Sequence, residues 1–149
     1  MVGVSQVATY NTEICLGQPE PGQSIEQLPG WEILRQAVET VAEEKGGRVT
    51  SRISDYFGRT YDVDFGLVTP EFPRGLGIKV SRATGEVRFM YDAYGGYEPV
   101  VRALAESIQQ NYSALAVARA LQEMNYQVEL EEVADQGPER KVVLVRGSL

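Results

Sequence analysis

Apolar and polar positions alternate along this chain at two periods, and the switches between them mark its elements. β-Branched and aromatic residues (Val2, Val4, Val7, Thr9, Tyr10, Thr12, Ile14, Leu16) crowd the start and predict a strand over about 4–16. Three prolines and three glycines between Gly17 and Gly30 predict an exposed, mobile loop. Trp31, Leu34, Val38 and Val41 then recur at three- and four-residue spacing, with Glu32, Arg35, Gln36, Glu39 and Glu43 between them. That period predicts a helix over 31–45, stopped by Gly46-Gly47.

Period two returns with strands over 48–54 and 60–69. In the second, Tyr61, Val63, Phe65 and Leu67 alternate with Thr60, Asp62, Asp64 and Gly66, which places Asp62 and Asp64 together on the solvent side. A turn is expected over 70–75. Gly77 to Ser81 and Glu86 to Tyr91 flank Arg82-Ala83-Thr84-Gly85 as a β-hairpin, with Ile78, Val80, Val87, Phe89 and Tyr91 facing one way. Residues 96–125 read as helical, but the stripe Val100/Val101, Leu104, Ile108 and the stripe Val117, Leu121, Met124 lie on opposite sides. A break near 111–113, with Ser113 capping a second helix, reconciles them. A last hairpin pairs 126–131 with 141–145 through a turn at 134–138, and the apolar run Val142 to Val145 predicts a strand covered on both faces or a subunit contact. Few helices and many hairpins predict one α+β domain: an antiparallel sheet with helices packed on one face, a two-layer sandwich.

Composition narrows the function more than the fold. The 149 residues carry 21 acids and 14 bases, a net charge of −7, and the bases form no long run. Such a chain repels phosphate backbones and anionic lipid, so neither nucleic acid nor membrane is an expected partner. The N-terminus has no basic stretch followed by an apolar one, and no apolar run approaches a membrane span, which points to a cytoplasmic protein. The lone cysteine, Cys15, fits a reducing compartment and is expected to pack as a core or half-buried thiol. Histidine is absent. That removes the commonest general base and, with a single cysteine, any Cys/His zinc site, so no metal or cofactor is expected.

Three places remain where chemistry could sit. Tyr91-Asp92-Ala93-Tyr94-Gly95-Gly96-Tyr97 sets three tyrosines around a Gly-Gly turn between a strand and a helix. Tyrosine offers rigid contact area with a polar tip, so Tyr91, Tyr94 and Tyr97 are candidate binding residues; packing of the helix onto the sheet is the competing role. Asp62 and Asp64, two apart on a strand, could face a cation, or salt-bridge Arg52, Arg59, Arg82 or Arg88. If Arg88 stood with these carboxylates and Tyr91 in a cleft, an anion-binding or hydrolytic site would follow. Gly75-Leu76-Gly77 is too short for a phosphate loop.

Gly77-Ile78-Lys79-Val80, the stretch Gly85 to Asp92, and Ile108-Gln109-Gln110-Asn111-Tyr112-Ser113-Ala114 resemble the uncharacterised plastid and cyanobacterial family called ycf thirty-five. The resemblance runs from about residue 60 onward: a short hairpin ending in an aspartate, a helix with an Ile-x-Gln-x-Tyr-Ala-like stretch, and a final helix leading into two strands. The family's Ser-His-aromatic start is missing, the 17–30 loop looks inserted, and Ser113 separates Tyr112 from Ala114. The family transfers no activity. Its bacterial relatives sit beside AAA-type ATPases, which implies an accessory role. Together these readings predict a non-catalytic interaction protein, a homo-oligomer whose partner meets the 91–97 segment or a sheet face.

Overall fold

The computed structural model describes residues 7–124, and residues 127–133 and 142–148 as backbone strands. Strands β1 (Val7–Cys15), β2 (Arg48–Ser54), β3 (Thr60–Thr69), β4 (Phe72–Val80) and β5 (Glu86–Asp92) form one antiparallel sheet in the order β1-β5-β4-β3-β2. Helices α1 (Pro29–Glu44) and α2 (Glu98–Glu123) pack against each other and cover one face. The α+β architecture with helices on one face is the one the patterning predicts. β6 (Gln127–Val133) and β7 (Val142–Ser148) pair antiparallel as a separate two-stranded sheet, and the turn expected over 134–138 lies outside the described residues.

The core lies between the helices and the sheet. Leu34, Val38 and Val41 of α1, Val101, Leu104 and Ile108 of α2, and Leu67, Phe72, Leu76, Ile78 and Phe89 of the sheet are buried together. Each is worth about 1.5–3 kcal/mol over its exposed state. The α1 terminus follows from sequence. Gly46 takes φ +68°, the Gly47 N–H donates to the Ala42 carbonyl at 2.8 Å and the Gly46 N–H to Glu43, so the last carbonyls are satisfied. Its start differs from expectation. Pro29 opens the helix instead of ending the loop, because proline's fixed φ suits the first helical position. The loop before it is not wholly exposed: Ile25, in a short 3-10 turn, is buried.

Four further expectations need correcting. Cys15 is exposed, not buried, because it closes edge strand β1; its thiol lies 3.4 Å from the Thr84 carbonyl. The turn expected over 70–75 is only Pro70-Glu71, and β4 begins at Phe72. Pro73 is tolerated there because β5 pairs with β4 only from Gly77 onward. α2 does not break: Tyr112, Leu115 and the buried Ala118 continue the stripe from Ile108, leaving Val117 half-exposed on the far side. Asn111, the supposed break, sits within the helix and donates its side-chain amide to the Ser107 carbonyl at 2.8 Å.

The fourth concerns β3. Its pairing with β2 jumps from Thr50↔Gly66 to Arg52↔Asp62, so β3 spends two extra residues there. Phe65 packs on Trp31 on the helix side, ring centroids 5.0 Å apart. Val63 packs on the opposite face, where a Cβ on Gly77 would lie 2.6 Å from its Cγ1 and 3.0 Å from Ile53 Cδ1. The alternation therefore inverts between Val63 and Phe65. Absence of a side chain at Gly77 lets the β2–β3 hairpin curl over the open face of β4.

Candidate functional site

Two turns at one end of the sheet share a plan. The β2–β3 turn reads Asp55-Tyr56-Phe57-Gly58, and the β5–α2 turn reads Asp92-Ala93-Tyr94-Gly95. In each, an aspartate accepts the backbone N–H two residues on: Asp55 Oδ1 from Phe57 at 2.9 Å and Asp92 Oδ1 from Tyr94 at 3.0 Å. A glycine of positive φ follows, Gly58 at +83° and Gly95 at +95°. The pattern Asp-x-aromatic-Gly thus presents an aromatic ring at the tip of each turn.

Both aspartates are buried and hydrogen-bonded. Asp55 also accepts the Arg59 N–H and Nε, and the Tyr61 hydroxyl, all within 3.0 Å. Burial by itself raises its pKa, but hydrogen bonds from Tyr61, Arg59 and Phe57 and the Arg59 charge outweigh burial and hold the carboxyl below the ordinary range. Asp92 Oδ2 accepts the Tyr56 N–H at 2.7 Å, so the carboxylate of one turn holds the backbone of the other. Arg74 of β4 closes the cluster. Its guanidinium donates to the carbonyls of Asp92 at 3.0 Å and Tyr94 at 2.7 Å, and lies 3.7 Å from Asp92 Oδ1. It also sits between two rings, 5.3 Å from the Tyr56 centroid and 5.1 Å from that of Tyr97.

Above this base lies an aromatic surface. The Tyr56 and Tyr94 centroids are 4.5 Å apart and those of Tyr56 and Phe57 5.3 Å. Tyr56, Phe57 and Tyr94 are each a little over half exposed. Large apolar rings kept in water and in mutual contact are the signature of a recognition surface more than of a core. The rings touch one another, so no cage for a ligand opens between them.

The sequence-predicted residues divide. Tyr94 is in the patch, and Tyr97 flanks it, half-buried on Phe72 with centroids 5.4 Å apart. Tyr91 is buried under α2, and its hydroxyl donates to Glu98 Oε1 at 3.1 Å; burial and that carboxylate raise its pKa. Asp62 pairs with Arg52 at 2.9 Å, while Asp64 accepts from Arg82 at 2.9 Å and from the Val80 N–H at 2.8 Å. Arg88 projects from the open sheet face, three residues along β5 from the inward Tyr91. Asp62, Asp64, Arg88 and Tyr91 do not meet in one cleft. Among the described residues no three acidic or cysteine side chains gather where a metal ion could be held, and no helix is long and apolar enough to cross a membrane.

Tyr56, Phe57, Asp55, Asp92 and Arg74 escaped the sequence reading. The repeated Asp-x-aromatic-Gly at 55–58 and 92–95 was the available signal for four of them; nothing local marks Arg74. Comparison with protein-family models, with curated proteins and with solved structures found no match for this chain.

Proposed function

We propose that the chain is a non-catalytic interaction module whose aromatic surface, Tyr56, Phe57 and Tyr94, binds another protein. The observation that carries this is the contact between Tyr56 and Tyr94, two exposed rings brought from turns far apart in sequence and propped from beneath by Asp92 and Arg74. Exposed aromatics on a rigid base bind with little loss of rotamer freedom. The absence of catalysis is supported by Asp55, since a carboxylate that already accepts four donors is a poor base. The resemblance to the ycf thirty-five family supports an accessory role, with an AAA-type ATPase as the partner. A homo-oligomeric state and a cytoplasmic setting belong to the same reading.

The test is co-purification of the tagged, full-length protein from its native lysate, followed by reconstitution with the purified partner. One stoichiometric ATPase is expected. Its affinity should fall about a hundredfold when Tyr56 and Tyr94 are both changed to alanine, at unchanged melting temperature. Unchanged affinity in that variant, or a monomer that retains no ATPase, overturns the reading.

A further inference from the structure

The open face of the sheet carries a like-charge contact that the aromatic surface does not use, although Glu13 and Glu86 line an adjoining hollow with Arg88 and Ser81. Lys79 of β4 and Arg88 of β5 stand directly opposite each other in the ladder. Like charges so placed repel and weaken a sheet. In a chain with an excess of seven acids, a carboxylate between them would be the simple remedy. Within residues 7–124 seven of nine arginines are within 4.0 Å of a carboxylate, namely Arg35, Arg52, Arg59, Arg74, Arg82, Arg102 and Arg119. Arg88 is not, and neither is Lys79. Asp64, the next position across from Lys79 on β3, is turned away to the Val80 N–H and Arg82. On the other side, the neighbour of Arg88 on β1 is Asn11, which carries no charge.

The two cations border a concavity of about 330 Å³ lined also by Thr9, Ser81 and Met90. Ser81 Oγ accepts the backbone N–H groups of Ala83 and Thr84, which leaves its hydroxyl proton free to donate outward. Guanidinium, ammonium and hydroxyl donors thus share one hollow.

We propose that Lys79, Arg88, Ser81 and Thr9 form a binding site for a small phosphate ester. Two cations call for a dianion, and a donor set of this size calls for three acceptor oxygens, which a phosphate monoester has and a carboxylate lacks. The site stands on β1, β4 and β5 independently of the Tyr56–Tyr94 surface.

The probe is inorganic phosphate, titrated into the full chain and followed by amide chemical shifts, against sodium chloride at equal ionic strength. Saturable shifts confined to residues 9–11, 79–81 and 88–90 are expected. The double variant K79Q/R88Q should weaken binding by about a hundredfold, while K45Q/R48Q, which removes two unpaired cations elsewhere, leaves it unchanged. Without phosphate, K79Q should raise the melting temperature by relieving the repulsion. Equal shifts around Lys45 and Arg48, retained binding in K79Q/R88Q, or a lower melting temperature for K79Q would each overturn the site.

Discussion

Asp92 Oδ2 accepts the Tyr56 N–H at 2.7 Å, a bond spanning 36 residues that ties the β5–α2 turn to the β2–β3 turn. The same carboxylate faces Arg74 and caps Tyr94. Asp92→Ala would leave two backbone donors without their acceptor and a largely buried guanidinium without its counter-charge. The expected loss is about 3 kcal/mol in urea unfolding at neutral pH. Asp92→Asn, which keeps the shape and one acceptor oxygen, should lose less. A loss below about 1 kcal/mol for the alanine variant would mean that other contacts hold the turns together.

Two glycines of like backbone but unlike surroundings separate strain from crowding. Gly85 has φ +78°, and a Cβ there would lie 2.1 Å from the Gly17 carbonyl oxygen. Gly22 has φ +83° with nothing within 4 Å. Gly22→Ala should cost about 1 kcal/mol, the penalty for a side chain in the left-handed region. Gly85→Ala adds a clash with backbone, which cannot rotate away, and should cost about 3 kcal/mol or more. Thermal melts of both variants, compared at equal ionic strength, check the difference.

Legibility of the sequence tracked how local the deciding contacts are. The strands over 48–54 and 60–69 and the hairpin around Gly85 were readable because period and turn chemistry lie within a few residues of each other. Val63 was misplaced, while Phe65 was not, because the extra β3 residues answer to β2 and to Gly77 across the sheet, which no window on β3 contains. In α2 the larger aliphatic residues misled. Val117 and Met124 are exposed while Ala118 is buried, so the larger side chains do not mark the buried face there. The aromatic surface was half legible: Tyr94 stood out beside two glycines, but its neighbour Tyr56 lies in another turn, and Asp92 and Arg74, which bring the two together, are distant from Tyr56 in sequence.

The continuity of α2 has its own test. A helix that restarted after Ser113 would place residue 114 at a first helical position, where proline is accepted. In the continuous helix Ala114 lies mid-run, and Ala114→Pro removes a hydrogen bond and clashes with the turn before it. A loss of about 3 kcal/mol and reduced helical ellipticity are expected. A variant as stable as the parent would restore the break.

Asp55 should make stability depend on pH in the acid range. Its folded pKa is lowered: burial opposes ionisation, but the Tyr61 hydroxyl, the Arg59 and Phe57 amides and the Arg59 charge more than offset it. Between the folded and unfolded values the unfolded chain binds more protons, so stability rises with pH there. The contribution is complete above the ordinary aspartate value of about 4 and disappears as pH falls through the lower folded value. Asp55→Asn cannot titrate. The stability difference between parent and variant, measured by urea unfolding from about pH 6 down to about pH 2.5, should therefore be constant at the upper end and shrink below about pH 4. Tyr61→Phe removes one of the donors to Oδ2 and should shift that decline to higher pH. A difference that stays constant over the whole range would mean that the folded carboxyl titrates as it does in the unfolded chain, and that the donors around it merely match the cost of burying it.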